Sequence, residues 1–199
     1  MKRTTILFAL LIAITGAFAQ KGKVTSALSY KEAGKLDKAV EAIEETINAS
    51  NPKSEGSISW PRTWEVRGEI YQGVFQTKDE NFKKLNNDPL TVAYDSYFKA
   101  LELDVKNSFS KSVKIKFTLL IADLTNQAVA AFNEENFEKA LRSFEQIMSI
   151  EQNPVYIYGK RIESGTSFSL TYKSAADFDF DEYINNLVID TIQPETPLP

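Results

Sequence analysis

The chain has 199 residues, a net charge of −4, no histidine and no cysteine. An acidic balance argues against a nucleic-acid ligand, because nucleic-acid binding relies on basic side chains that neutralise phosphates. Without histidine and cysteine the chain lacks the usual proton shuttles, nucleophiles and soft metal ligands, so we expect no enzyme activity, no cofactor and no metal site. The hydrophobic share of 43% and the charged share of 25% are those of a globular protein.

The N-terminus has the organisation of a secretory signal peptide. Lys2 and Arg3 precede the almost wholly apolar residues 6–14, and Ala17-Phe18-Ala19 is a small-x-small cleavage pattern. The apolar run is shorter than the roughly 20 residues that a membrane-spanning helix needs. We therefore expect residues 1–19 to be removed on export to the periplasm or cell envelope of a Gram-negative-type bacterium. No transmembrane anchor is expected after cleavage, and the chain has no cysteine that could carry a lipid.

The next stretch predicts a helical hairpin. Helices over residues 23–33 and 35–49 are separated by Gly34, whose missing Cβ suits a tight reversal. In the second helix Ile43 follows Ala39 by four positions, so that both side chains lie on one face. We expect Ala39 and Ile43 to pack at the contact between the helices.

A second helix pair is predicted to begin at Pro61, which is well tolerated in a first helical turn. A polar insertion, residues 76–88, precedes the second helix of the pair, and Asp88-Pro89 supplies its cap and first residue. Phe82 in the insertion either docks back on the helices or overhangs a binding groove. The expected packing residues are Trp64, Gly68, Tyr71, Ala93 and Tyr97.

A third pair is predicted over residues 111–132 and 137–150. Its second helix opens with Glu135-Asn136-Phe137-Glu138-Lys139-Ala140-Leu141, which repeats the pattern of Gly34-Lys35-Leu36-Asp37-Lys38-Ala39-Val40. Ala140 and the following Phe144 are therefore expected at a close helix contact. Charged residues in the long first helix argue against a membrane span. These are Lys114, Lys116 and Asp123.

The spacing of Trp64, Gly68 and Tyr71, followed by an alanine-led helix, resembles the tetratricopeptide repeat family over residues 23–152. The repeat in that family is about 34 residues long, whereas Ala39, Ala93 and Ala140 are 54 and 47 residues apart because of insertions. The resemblance implies an all-α fold, a right-handed α-solenoid of three imperfect tetratricopeptide-like hairpins. It assigns residues 20–152 to the repeat domain.

The C-terminal part of the chain has two interpretations. Residues 153–192 form a degenerate fourth pair or capping segment if Phe180 to Leu187 is helical, whereas the alternation of Phe168, Leu170 and Tyr172 favours a strand. Residues 193–199 are expected to be disordered.

The resemblance implies a non-catalytic scaffold that binds a partner protein or peptide on its concave face. The predicted partner-binding residues are Arg62, Glu65, Glu69 and Gln72 in the second pair and Asn126, Val129 and Asn133 in the third. An alternative is an envelope glycan-binding protein on the same scaffold, which would need an exposed aromatic platform around Trp60. A hydrolase would need convergent carboxylates in a cleft, but Glu41 and Glu45 are predicted to lie on an outward helix face.

Overall fold

The computed structural model describes residues 20–156, all within one compact unit, Met1–Glu163. These residues are mostly helical, with no strand among them, so the all-α prediction is confirmed for this part of the chain. The predicted signal peptide, the choice between helix and strand near Phe168, and the C-terminal tail lie outside the described residues.

The helices follow the chain in this order. Helix α1 occupies residues 20–32, α2 Leu36–Thr46, α3 Glu55–Ile58, α4 Pro61–Gln76, α5 Glu80–Lys83, α6 Pro89–Leu103, α7 Ser110–Asn133 and α8 Phe137–Gln152, and a 3₁₀ turn, Pro52–Ser54, precedes α3.

The long helices pack against their neighbours in sequence. α2 contacts α4, α4 contacts α6, α6 contacts α7 and α7 contacts α8, with a smaller contact between α4 and α7. Two of these contacts, α4 with α6 and α7 with α8, join helices that were grouped in one pair, and α1 shares a buried core with α2. Helix α7 begins and ends within a residue of its predicted limits.

Side-chain contacts give the relative direction of the helices. Along α6 and α8, Asp88 contacts Arg142, Thr91 contacts Gln146 and Tyr94 contacts Ser149. Because the residue numbers of the contacting side chains increase together along both helices, α6 and α8 run parallel. The same test applies to α4 and α7, where Glu65 contacts Ser112 and Gln76 contacts Asp123. The first helices of the second and third pairs, α4 and α7, are thus parallel, and so are their second helices, α6 and α8.

The tightest helix crossing lies between α4 and α6. A Cβ added to Gly68 would meet the ring of Tyr97, 2.6 Å from Cδ1. Tyr97 is fully buried, and its hydroxyl donates to Gln72 Oε1 at 2.9 Å. A side chain at position 68 would therefore clash with the Tyr97 ring, so the close packing of these two helices requires glycine there.

The core of the first pair continues into α4. Its residues come from three helices and share complete or nearly complete burial. They are Val24, Ala27, Ala39, Ile43, Val66 and Ile70. Trp60 packs against this cluster and is partly buried.

Two turns share an unusual backbone conformation. Gly34 between α1 and α2 has φ +71°, and Glu135 between α7 and α8 has φ +59°. Both residues stand at the first position of the repeated seven-residue phrase. The phrase thus specifies a left-handed turn twice, once with glycine and once with an L side chain.

The segment after α2 differs from its prediction. Helix α2 ends at Thr46 rather than at residue 49, and residues 52–58, for which no helix was predicted, form the 3₁₀ turn and α3. The buried Ser57 hydroxyl donates to the carbonyl oxygen of Thr46, and the Ser54 hydroxyl donates to that of Glu45. These bonds satisfy carbonyl groups at the end of α2 that have no partner within the helix, which is why a polar sequence folds here.

Among the described residues, one helix, α7, has the length and composition of a membrane span. Its mean hydropathy is 1.2 over its most apolar stretch. It packs against α6, where Phe117 contacts the rings of Tyr97 and Phe98, and against α8, where Gln127 donates to Ser143. Lys116 and Asp123 both bond to α4. The helix thus makes the contacts of a core helix in a helical protein.

Candidate functional site

A layer of polar and charged side chains joins the three parallel helices α1, α4 and α7. We call it the polar layer. Its members are Lys31 on α1, Arg62, Glu65, Glu69 and Gln72 on α4, and Ser112, Lys116 and Asp123 on α7.

Glu65 is the most buried member of the polar layer, with no exposed surface. The Arg62 guanidinium donates to its Oε2 at 2.6 Å, and the Ser112 hydroxyl donates to its Oε1. Both carboxylate oxygens therefore have partners, one within α4 and one on α7. Satisfied in this way, the charge can be buried without the cost of an unpaired ion.

Glu69 lies one turn further along α4 and is surrounded by cations from three helices. Its oxygens lie 3.4 Å from Lys31 Nζ, 3.6 Å from Arg62 Nη1 and 3.3 Å from Lys116 Nζ. Only 8% of the residue is exposed. A single carboxylate thus links α1 and α7 to α4.

Amides complete the layer at the C-terminal end of α4. Gln72 and Gln76 both donate to Asp123 Oδ2, and Gln72 accepts from Tyr97. Burial raises the pKa of Tyr97 well above its usual value, and the nearby carboxylates of Glu69, Glu65 and Asp123 raise it further. The phenol therefore remains a neutral donor.

The predicted binding role of the α4 residues needs a correction. Glu65, Glu69 and Gln72 were expected to be free for a ligand, but they are buried and bonded to neighbouring helices. Hydrogen-bonding side chains on parallel first helices meet one another when those helices are close. Arg62 is the exception, since 30% of its side chain is exposed.

A cavity of about 350 Å³ opens beside Arg62. Its walls are mainly apolar and come from α1, the start of α4 and the residue before α7. They are Val24, Thr25, Leu28, Trp60, Arg62, Val66 and Phe109. Lys21 Nζ lies 5.2 Å from the centroid of the Trp60 ring, so two cations stand at a largely apolar site.

Little in the sequence indicated this cavity. Val24 and Leu28 belong to the predicted apolar face of α1, but Phe109 lies in a loop whose position depends on where α7 packs. Trp60 was expected only as a possible exposed platform. Instead it is partly buried against the core and lies beside Lys21.

A second cluster centres on Arg67 of α4. Its Nε donates to Glu44 at 2.8 Å and its Nη1 to Ser96 at 2.9 Å, while the guanidinium lies 5.0 Å from the Tyr71 ring centroid. The Tyr71 hydroxyl also donates to Glu44. Arg67 therefore ties α4 to both α2 and α6.

The other predicted partner-binding residues lie on the solvent side of α7. Asn126, Val129 and Asn133 are all exposed. They do not belong to the polar layer, so the structure separates them from the α4 residues with which they were grouped.

Most of the predicted packing residues are buried. Trp64 is only partly buried, and its indole Nε1 donates to the carbonyl of Ile58 in α3 at 2.7 Å. The remaining eight are Ala39, Ile43, Gly68, Tyr71, Ala93, Tyr97, Ala140 and Phe144.

Searches with the complete sequence and with the structure found no matching protein-family model, no matching curated protein and no matching solved structure.

Proposed function

We propose that the chain is a non-catalytic scaffold of tetratricopeptide-like helix pairs that binds an extended segment of a partner protein. The observation that carries the proposal is the apolar cavity beside Arg62. It lies at one end of three helices whose relative positions are fixed by the polar layer. A site on such a rigid frame suits the capture of a flexible peptide, because little order has to be gained by the scaffold.

Two features support a solenoid of stacked helix pairs as the frame. The helices pair in sequence order, and the contact registers make α4 parallel to α7 and α6 parallel to α8. Repeated hairpins stack with this alternation in tetratricopeptide solenoids. The matching turns at Gly34 and Glu135 agree with a repeated unit.

The chemistry of the cavity defines the expected ligand. Its apolar walls would receive one bulky apolar side chain, with Trp60 and Phe109 available for ring contacts. Lys21 and Arg62 favour an acidic residue close to that side chain. We therefore expect the partner segment to contain an aromatic or branched apolar residue beside an aspartate or glutamate.

A random peptide library displayed on phage tests the expected motif. Selection against the wild-type protein should enrich peptides that pair a bulky apolar residue with an acid. The best peptide is then synthesised, and calorimetry should show that Thr25→Trp weakens its binding at least about tenfold, because the indole fills the cavity. Thr25 lies on the exposed edge of the cavity, so the folded state should tolerate the change.

Ser26→Trp is the matched control, because it places the same side chain on the adjacent exposed position of α1, outside the cavity wall. It should bind the peptide as the wild type does. Equal weakening by both variants, or a selection without any shared apolar residue, would refute the cavity as the binding site.

The glycan-binding alternative gains no support from Trp60, whose ring is partly buried rather than displayed on a platform. Export remains part of the proposal, on the grounds of the N-terminal sequence pattern. Mass spectrometry of the protein from its native host should show a chain that begins at Gln20. An intact Met1 would contradict export with cleavage.

A further inference from the structure

Two cations stand at the cavity, and they differ in whether the protein already balances their charge. The Arg62 guanidinium donates to Glu65 Oε2 at 2.6 Å and lies 3.6 Å from Glu69 Oε1. Lys21 has no hydrogen bond and no ion pair to any described residue, and its ammonium lies over the Trp60 ring. Of these two cations, Lys21 is therefore the one whose charge is free to meet a ligand.

The formal charges of the polar layer cancel, because it holds as many cations as carboxylates. The cations are Lys31, Arg62 and Lys116, and the carboxylates are Glu65, Glu69 and Asp123. If Arg62 turned toward a ligand, the buried Glu65 would keep one described partner, the Ser112 hydroxyl. A buried carboxylate that loses its cation is strongly destabilising, so Arg62 is held within the layer.

Lys21 lies on the face of α1 that forms part of the cavity wall. Val24, Thr25 and Leu28 line the cavity and follow Lys21 by three, four and seven positions, the spacing of one helix face. The ring beneath the ammonium, Trp60, belongs to the same wall. An apolar side chain that enters the cavity and contacts Trp60 is therefore placed close to the Lys21 charge.

We propose that Lys21 is the specificity-determining residue of the cavity, the one that pairs with an acidic residue of the bound peptide. This assignment rests on the proposed function, because it requires a peptide in the cavity. The cation–π contact with Trp60 holds the ammonium beside the wall, which reduces the order that has to be gained when the acid binds. Arg62 instead shapes the cavity and neutralises the polar layer.

Calorimetry with a matched pair of peptides tests the assignment. The peptide selected by phage display is synthesised with acetylated and amidated termini, once with its acid and once with the isosteric amide. The wild type should bind the acid about three- to fivefold more tightly than the amide, as expected for one partly exposed ion pair. In Lys21→Gln the ratio of the two dissociation constants should fall to about one.

Lys23→Gln is the matched control, because it removes the same charge two residues later on α1. Lys23 is exposed, pairs with Glu45 of α2 and does not line the cavity. Its ratio of dissociation constants should equal that of the wild type. Raising the salt concentration from about 0.05 M to about 0.5 M should lower the wild-type ratio toward one, because salt screens an exposed ion pair.

Thermal melts separate the structural roles of the two cations. Arg62→Gln should lower the melting temperature by at least about 5 °C, because it leaves Glu65 buried without its cation. Lys21→Gln should stay within about 2 °C of the wild type, because it removes no ion pair from the described part of the chain.

Four results would overturn the assignment. They are equal wild-type affinity for acid and amide, a preference for the acid that Lys21→Gln retains, an equal loss of preference in Lys21→Gln and Lys23→Gln, and an Arg62→Gln protein that melts as the wild type does. Failure of the wild type to bind either peptide would instead refute the cavity as a binding site, and the assignment would fall with the proposed function.

Discussion

Gly68 and Gly73 both lie in α4, yet only Gly68 has no room for a side chain. At Gly68 an added Cβ meets the Tyr97 ring, which is fixed by burial and by its bond to Gln72. At Gly73 the nearest atom is Leu36 Cδ2 at 3.4 Å, the end of a flexible side chain. The two positions therefore separate the effect of packing from that of helix propensity.

Gly68→Ala should lower the free energy of unfolding by about 1–3 kcal/mol, since the overpacked methyl group outweighs the better helix propensity of alanine. Gly73→Ala should leave it unchanged or raise it by up to about 1 kcal/mol. Urea unfolding followed by circular dichroism measures both. Equal stability of the two variants would contradict the close crossing of α4 and α6.

Substitutions at the two positive-φ turn residues, Gly34 and Glu135, should change the stability of the protein in opposite directions. Gly34→Ala should cost about 1 kcal/mol, because nothing crowds the position and only the positive φ resists a Cβ. Glu135→Gly should gain up to about 1 kcal/mol, because it relieves the same strain. Thermal melts of both variants should therefore move in opposite directions. A loss of stability in Glu135→Gly would show that its side chain has a role beyond the turn.

Among the elements, α4 has the central position, because its polar side chains reach α1 and α7 while Arg67 reaches α2 and α6. Glu69 is the common partner of Lys31, Arg62 and Lys116. Replacing it removes a shared counterion and leaves three cations close together. The layer is therefore expected to act as a unit rather than as separate pairs.

Glu69→Lys should lower the free energy of unfolding by about 3 kcal/mol or more, the effect expected when one partner of a buried ion pair is lost. Glu69→Gln should fall between this variant and the wild type. Glu41→Lys makes the same charge change on an exposed position of α2 and should stay within about 0.5 kcal/mol of the wild type. Chemical denaturation of the four proteins gives the comparison. A folded, fully stable Glu69→Lys protein would restore the side chain as a candidate for ligand binding.

The sequence predicted elements better than it predicted the site. Periodic apolar residues located α7 almost to the residue, because its core face repeats over six turns. They could not reveal that Glu65 is bonded to Ser112, because these residues are 47 positions apart in the sequence and meet only when α4 packs against α7. Nor could they show that Ser54 and Ser57 donate to carbonyl oxygens at the end of α2, because these polar contacts have no apolar signature.

For the whole molecule, ionisation of the buried Tyr71 is expected to make the free energy of unfolding depend on pH in the alkaline range. The 199 residues include no histidine, so stability should change little between about pH 6 and 9. Burial, reinforced by Glu44, raises the pKa of Tyr71 to about 12 from its usual value near 10. A phenol whose pKa is raised by folding contributes stability that is complete below pH 10 and is lost as the pH approaches 12.

Comparison with Tyr71→Phe isolates this contribution. At pH 9 the wild type should be the more stable protein, because Tyr71 donates to Glu44. The difference should shrink as the pH rises from 10 to 12, when the wild-type phenol ionises and its advantage is lost. Tyr97 titrates in both proteins and cancels. A difference that stays constant up to pH 12 would rule out Tyr71 as the group responsible.

The segment between α4 and α6, residues 77–88, has a practical consequence for labelling the protein. Helix α5, Glu80–Lys83, contains no buried residue, and the flanking helices pack closely despite the 12 residues that separate them. Each doubling of the length of a loop between two fixed ends adds only about 0.6 kcal/mol to the entropic cost of closing it. An affinity tag or fluorophore-binding sequence inserted after Lys83 should therefore report on the protein without disturbing the cavity or the polar layer.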